Sequence, residues 1–524
     1  MATIVTLPDV LVTKGSLGGT RGAREIRPDR QVDALAVPIA PAGGHDELQP
    51  RVGTADAAAL YGIDLADLAE TSGLTGAAGE SYVLALPQLL HGDASWGELP
   101  RRLALIGVGD GSPAALRRAG AALAKVASGL DRVATTVGLD DPARDPAAVR
   151  ALAEGFWLGA YRPPRTGRTS GKARPVGTLE LITPAATSAQ SAVDAARPAA
   201  EAATWARLLA ATPSNVKNPE WVAEQARAAV AGEPTLSVEV RETEWLAEHG
   251  FRALLAVGAA SASPPRLVTV TYTPQATTSA SRSVVLAGKG ITYDTGGLAI
   301  KPREAMVPMK TDMTGAGVAL AVVVGAARAG LRHRVTAVLP LAENAVGDSS
   351  YRPGDVVTTY DGTTVEILNT DAEGRMVLAD AMGWAVAELD PDVLVDVATL
   401  TGAATLGLGN RHGALYANDD RLAEGLLAAG EASGEPLWRM PLVDDYRHAL
   451  DSEVADVAHV ATDPHVGGGS ITAALFLERF AGTGRWAHLD IAGPARSAKA
   501  SHEIPEGPTG FGARVLLRWL EQLR

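Results

Sequence analysis

The sequence predicts an α/β chain with a smaller N-terminal α/β domain and a larger C-terminal domain, whose mostly parallel central sheet is flanked by helices. Three observations carry that reading. The chain has 524 residues, 46% hydrophobic and 20% charged, too many for one ordinary core and apolar enough for two. In its second half, short β-branched runs alternate with longer stretches of helical period. Between the halves lie a loop rich in Pro, Gly, Arg, Ser and Thr and then an Ala-rich helical stretch.

In chain order, Ile4–Leu7 and Ala34–Ile39 read as strands. Leu103–Gly111 is an apolar run meeting a Gly-rich turn, and Ala114–Val126 follows as an amphipathic helix, so the three parts read as a piece of a β-α-β unit. Gly107-Val108-Gly109 lacks the rest of either nucleotide-loop pattern and reads as a tight strand-to-helix turn. Tyr161–Pro175 is a loop by composition. Residues 185–210 show helical spacing through Val193, Ala196, Ala199, Ala203, Trp205 and Leu208, with Pro198 as a kink or first turn. Thr212-Pro213-Ser214-Asn215 ends that helix. The expected domains are therefore 1–184, a linking helix 185–211, and 212–524. Farther on, Leu267–Tyr272, Ser283–Leu286, Val335–Leu339 and Val393–Val397 are expected as buried parallel strands, and Val365–Leu368 as another strand. Helices are expected at Gly315–Ala329, Met376–Glu388, Asp420–Ala429 and Thr472–Phe480.

Composition narrows the chemistry. There is no cysteine, which removes disulfides, thiolate metal sites and a cysteine nucleophile. The net charge of −13 argues against nucleic acid as the main partner. No basic-then-apolar leader is visible, and no apolar run is long enough to span a bilayer: Val318–Ala327 is bounded by Arg328 and Gly330. A soluble cytoplasmic protein with no membrane partner is expected. The ten histidines form no HExxH spacing and there is no Gly-x-Ser-x-Gly elbow; Gly467-Gly468-Gly469-Ser470 reads as a flexible loop before a helix.

Two short segments concentrate the polar residues. One runs from Gly288 through Lys289, Asp294 and Lys301 to Asp312, and the other is Asn369-Thr370-Asp371-Ala372-Glu373-Gly374-Arg375. Each acid has an ordinary reading: Asp371 or Asp312 as a helix cap, Glu373 as a first-turn acid, Asp294 as an Asx-turn. Asp294-Thr295-Gly296 also resembles the triplet of aspartic proteases, but those need a second such triplet and none is present. Four carboxylates among Gly, Thr and apolar residues would repel one another and resist desolvation unless cations sat between them. A pair of divalent metal ions is the natural candidate, and the chain reads as a metal-dependent hydrolase.

Gly288–Met313 and Asn369–Arg375 resemble the leucyl (cytosol) aminopeptidases, di-metal enzymes that remove N-terminal residues from peptides. Thr212–Asn215, Ala253–Gly258, Pro264–Leu267, Ala398–Ala403, Ile471–Leu477, Trp486–Gly493 and Thr509–Gly512 agree with that family too. The likeness covers 205–524 strongly and the N-terminal part loosely, with Met376 where the family usually has Leu. It implies that Lys289, Asp294, Asp312 and Glu373 hold the tighter ion, and Asp294, Asp371 (side chain and carbonyl) and Glu373 the exchangeable one. Mn²⁺, Zn²⁺ or Mg²⁺ would suit those donors. It further implies that Lys301 stabilises the oxyanion, that Arg375 holds a bicarbonate serving as general base, and that Leu400 contacts the peptide backbone. Met309, Thr399, Gly402 and Ala492 match the pocket for the first side chain, with Ala495 at its edge. Peptide substrates with Leu or other mainly apolar first residues, and a homo-hexamer, are implied by the same likeness. The alternative function is a DNA-binding regulatory protein with secondary peptidase activity, for which Arg101, Arg102, Arg117, Arg118 and Lys125 would have to form a basic stripe.

Overall fold

The computed structural model describes residues 5–18, 24–29, 31–42, 48–87, 97–163, 177–463 and 465–524. Two compact units emerge, one of residues 6–201 with 499–505, the other of 202–498 with 506–524.

The N-terminal unit is built on strands β1 (Asp9–Lys14), β2 (Ala34–Ala40), β3 (Gln49–Pro50), β4 (Ser81–Ala85), β5 (Arg102–Gly107), β6 (Arg132–Thr135) and β7 (Thr178–Thr183). Their order is β1-β7-β6-β2-β5-β4, with β3 on β2; only β3 and β4 run antiparallel to their neighbours. The first strand is thus later than the sequence suggests. Ile4 lies outside the described residues, and Pro8 precedes the ladder because it has no N–H to donate. Most of the Tyr161–Pro175 loop also lies outside them. Helices α1 (Thr54–Tyr61), α2 (Leu65–Thr71), α3 (Pro113–Val126) and α4 (Pro146–Ala160) cover the sheet, and α5 (Ala186–Ala211) keeps Pro198 in its interior. Gly107-Val108-Gly109 is the turn between β5 and α3, which opens with Ser112 capping Ala115 N and Pro113 in its first turn. Arg117 is buried and paired with Glu154 at 3.2 Å, so it drops out of any surface stripe with Arg118 and Lys125.

The larger unit contributes β8 (Leu236–Arg241), β9 (Arg266–Tyr272), β10 (Ser283–Gly288), β11 (Gly290–Asp294), β12 (Arg334–Asn344), β13 (Val356–Thr358), β14 (Thr364–Glu366), β15 (Val393–Ala398), β16 (Gly413–Ala417), β17 (Leu437–Arg439), β18 (Val457–Ala458) and β19 (Arg485–Asp490). The main sheet runs β17-β16-β19-β15-β10-β12-β9-β8, with β11 extending the β12 edge. Strands β19, β15, β10 and β12 form its parallel heart. Leu267–Tyr272 is a correction: β9 runs antiparallel to β12. A continuous β-branched run signals burial on both faces, and either direction satisfies that. Val365 belongs to a separate three-stranded sheet, β13-β14-β18, so the Asp371–Glu373 segment does not follow a strand of the main sheet.

The helices here are α6 (Pro219–Val230), α7 (Thr243–Glu248), α8 (Arg252–Gly258), α9 (Arg303–Met306), α10 (Thr314–Arg328), α11 (Glu373–Leu389), α12 (Gly402–Leu408), α13 (Asp420–Ser433), α14 (Gly469–Glu478) and α15 (Ala513–Gln522). Side-chain alternation on β10 sends Val285 and Ala287 into a core with Phe251, Leu254, Met376, Met382, Phe476 and Trp486, drawn from α8, α11, α14 and β19. Helix α10 packs on the sheet and on α15. Residues 303–328 are the one helical stretch among those described that is long and apolar enough to cross a membrane, and it is mostly buried inside this unit.

Candidate active site

Backbone packing brings the two polar segments together. Lys289 follows β10, its N–H donating to Val397 O at 3.0 Å while its carbonyl accepts from Ala316 N at 2.9 Å. Helix α10 can come this close only because residue 315 is glycine: a Cβ there would lie 2.1 Å from Val397 O. That approach places Asp312, just ahead of α10, beside the Lys289 side chain. Asp294 ends β11 opposite Asn344, the last residue of β12. Thr370 ties the second segment to the first, donating to Gly296 O at 2.7 Å and accepting from Ala299 N at 2.8 Å.

The charged groups then interlock. Lys289 Nζ lies 2.8 Å from Asp312 Oδ2 and 2.8 Å from Glu373 Oε1, and donates to Thr399 O at 3.0 Å. Lys301 Nζ lies 2.9 Å from Asp294 Oδ2 and also pairs with Asp371 Oδ1. Asp294 Oδ1 accepts from Gly296 N and from Asn344 Nδ2, each at 2.8 Å. The expected Asx-turn therefore exists and uses one oxygen, leaving the other for the cation. The capping readings fail: α11 begins after Ala372 and α10 after Met313, neither with a side-chain cap. One oxygen each of Asp294, Asp371 and Glu373 lies within 4.8 Å of the others. Glu373 Oε2 is buried with no hydrogen-bond partner.

Electrostatics follow from that burial. Desolvation pushes the Glu373 carboxyl up to about 7, with Asp294 adding to the rise, and carries Asp312 and Asp371 up to about 6. Burial alone would lower Lys289 and Lys301, but the surrounding carboxylates outweigh it and hold both above the ordinary lysine range. Arg375 is buried on α11, its Nη1 donating to His459 O at 2.5 Å while Nε has no partner, and burial draws it down to about 10. Hard oxygen donors at this spacing, one with an orphaned lone pair, suit divalent cations, and Lys289 offers the only amine in contact with Glu373 among the described residues.

Of the predicted pocket residues, Met309 and Thr399 touch this cluster. Met309 lies in the turn Val307–Thr311 and accepts from Asp312 N at 3.2 Å. Thr399 Oγ1 donates to Asp312 Oδ1 at 2.8 Å. Leu400 N and Ala492 N both donate to Asp490 Oδ1, at 3.1 Å each, and Gly402 opens α12 with free space where a Cβ would stand. Ala495 is buried, 1% exposed. Residue-by-residue reading passed over Asn344, Tyr351 and Asp490. Asn344 and Tyr351 both donate to Thr370 O, at 3.0 and 2.9 Å. A lone Asn closing an eleven-residue buried strand was the one available signal for the first of them.

Acids countered by lysines, with one oxygen each of Asp294, Asp371 and Glu373 within 4.8 Å of the others, are the donor set of a metal-binding hydrolase. Residues 204–517 match the model of the cytosol aminopeptidase family catalytic domain, and 44–166 match that of its N-terminal domain. A "Probable cytosol aminopeptidase" from Streptomyces coelicolor is 40% identical, with 94% of this chain and 96% of that one covered. One from Rhodococcus jostii is 38% identical, with 97% of each covered. Among solved structures, the bottromycin maturation enzyme BotP in complex with Mn is 35% identical with a TM-score of 0.80, covering 94% of this chain and 99% of that one. A mutant of tomato leucine aminopeptidase is 27% identical with a TM-score of 0.83, covering 99% and 98%. The chain belongs to the cytosol aminopeptidase family and is an aminopeptidase, a hydrolase.

Proposed function

We propose that this aminopeptidase works with two divalent ions, Mn²⁺ or Zn²⁺ with Mg²⁺ as a substitute, held by Lys289, Asp294, Asp312, Asp371 and Glu373. The observation that carries this reading is the cluster of one oxygen each from Asp294, Asp371 and Glu373 within 4.8 Å, beside the Lys289–Asp312 pair. Lys289, Asp294, Asp312 and Glu373 surround the tighter position; Asp294, Asp371 and Glu373 surround the exchangeable one. When bound, the ions supply Lewis acidity and lower the pKa of nearby water. Lys301, its ammonium already directed between Asp294 and Asp371, stabilises negative charge developing on the peptide oxygen. Arg375, with its unpartnered Nε, holds a small anion such as bicarbonate that accepts the proton. Met309, Thr399, Gly402 and Ala492 receive the first side chain, and Leu400 meets the peptide backbone. The walls they form favour Leu and other apolar residues by modest factors. Homo-hexameric assembly and a cytoplasmic location complete the reading.

The test is hydrolysis of leucine p-nitroanilide by protein stripped with chelator and reloaded with single ions, beside the variant Glu373→Gln. Activity restored by one ion and absent from the variant supports the reading. A Glu373→Gln protein that folds and hydrolyses at the native rate overturns it.

A further inference from the structure

We propose that Asp490 is a specificity-positioning residue: its buried carboxylate joins the two chain segments that wall the pocket for the first side chain and sets the distance between them. The inference rests on the pocket reading above. Asp490 is the last residue of β19, paired across the sheet with Ala398 at the end of β15, and is 1% exposed. Its Oδ1 accepts from Leu400 N and Ala492 N, both at 3.1 Å. Its Oδ2 accepts from Thr401 N at 3.0 Å and from Thr401 Oγ1 at 2.7 Å. Four donors thus converge on one side chain, three from the segment after β15 and one from the segment after β19. Neither oxygen is left to meet substrate, so its effect passes through the segments it holds.

The geometry on either side makes the arrangement stiff. Thr401 Oγ1 also accepts from Ala404 N at 3.0 Å, so the hydroxyl that donates to Asp490 caps α12, which begins at Gly402. One residue ahead of Leu400, Thr399 is fixed to Lys289 and Asp312. Behind Asp490 on the same strand pair, Asp396 accepts from Trp486 Nε1 at 2.9 Å and pairs with His488 Nδ1 at 2.5 Å, all of them buried. The pocket wall is therefore referenced at one end to the acid–lysine cluster and at the other to Asp490. Charge-assisted bonds to a buried carboxylate are stronger than neutral ones and leave little play. A shift of a fraction of an ångström between Gly402 and Ala492 changes which side chain fits.

The experiment uses the Mn²⁺-loaded full chain and compares kcat and KM for the p-nitroanilides of leucine, alanine and phenylalanine. Asp490→Asn keeps Oδ1 as an acceptor but turns an amide toward Thr401 N–H, which loosens the wall on that side. The expected result is a raised KM for the leucine substrate and an about tenfold fall in its preference over alanine, the scale at which apolar pockets discriminate. Thr401→Val should shift preference in the same direction and Thr401→Ser should restore it, which keeps the test alive if Asp490→Asn does not fold. Asp380→Asn is the control: that buried carboxylate holds Leu254 N and Tyr360 N, both at 2.8 Å, with no pocket residue among those partners. It should leave the preference ratio unchanged. Gly402→Ala, which places a methyl in open space, tests the pocket reading separately. If Gly402→Ala alters preference while Asp490→Asn and Thr401→Val do not, the role of Asp490 is refuted and the pocket stands. If Gly402→Ala has no effect either, the pocket reading itself falls and takes the proposal with it.

Discussion

Titrating Mn²⁺ into chelator-stripped protein should release protons, in a number that changes with pH according to Asp312, Asp371, Glu373 and Lys289. At pH 6, Asp312 and Asp371, raised to about 6, are each half protonated, and Glu373, raised to about 7, is mostly so. Lys289 holds its ammonium throughout, because neighbouring carboxylates place it above the ordinary range. An amine can ligate only when neutral, so its proton must leave. Loading at pH 6 should therefore displace about three protons, two from the carboxylates and one from the lysine, with the coupling between the acids blurring their individual shares. At pH 8.5 all three acids are ionised, so Lys289 gives up about one proton and a water acidified by the bound ions up to about one more. The sign follows: groups that hold protons at low pH compete with the ion, so apparent affinity rises with pH, by about one decade per unit for each proton released. Calorimetry in two buffers of different ionisation enthalpy counts the protons directly. Lys289→Met should lower the count at pH 8.5 by about one. If the native protein and Lys289→Met release the same number at that pH, Lys289 stays an ammonium ion and is not a ligand.

Two further outcomes are expected. Lys301→Met should lower kcat by about 10²–10³, the usual cost of removing one oxyanion donor, while Mn²⁺ still binds by calorimetry; an unchanged kcat would remove Lys301 from the chemistry. Gly155→Ala should destabilise the N-terminal unit by about 1–3 kcal/mol, because overpacking forces backbone apart. The added Cβ would lie 1.9 Å from Arg117 O where α3 and α4 cross, and a urea midpoint equal to that of the native protein would contradict that close contact.

Much of the architecture was legible because local physics and tertiary packing agree there. Ser283–Leu286 and Val393–Val397 are too short and too β-branched for helices, and they sit at the parallel heart of the main sheet. The helix expected at Ala114–Val126 is found at Pro113–Val126, with Pro113 in its first turn behind a capping Ser112. The direction of β9 was not legible, since a strand buried on both faces looks alike whichever way it runs. Polarity singled out the two segments that hold Lys289, Asp294, Lys301, Asp312, Asp371 and Glu373, and the family resemblance implied that they share one site. The residues that hold them were harder. Asn344 reaches Thr370 across 26 positions and Asp490 reaches Leu400 across 90, and no local pattern encodes such distances. The ordinary capping readings of Asp312 and Asp371 could be set aside only once the starts of α10 and α11 were located.

The glycines at 374 and 402 divide the site by how freely it can change. A side chain at 374 would meet Lys289 along its length, with Cε 2.5 Å and Nζ 2.8 Å from the new Cβ, whereas nothing lies within 4 Å of the equivalent point at 402. Drift at 374 is punished at once, because any substitution dislodges the buried lysine. Drift at 402 meets only open volume. If Gly402 lines the proposed pocket, a mutant library aimed at new substrates belongs there, where a side chain meets open space, and leaves 374, where it meets Lys289, untouched.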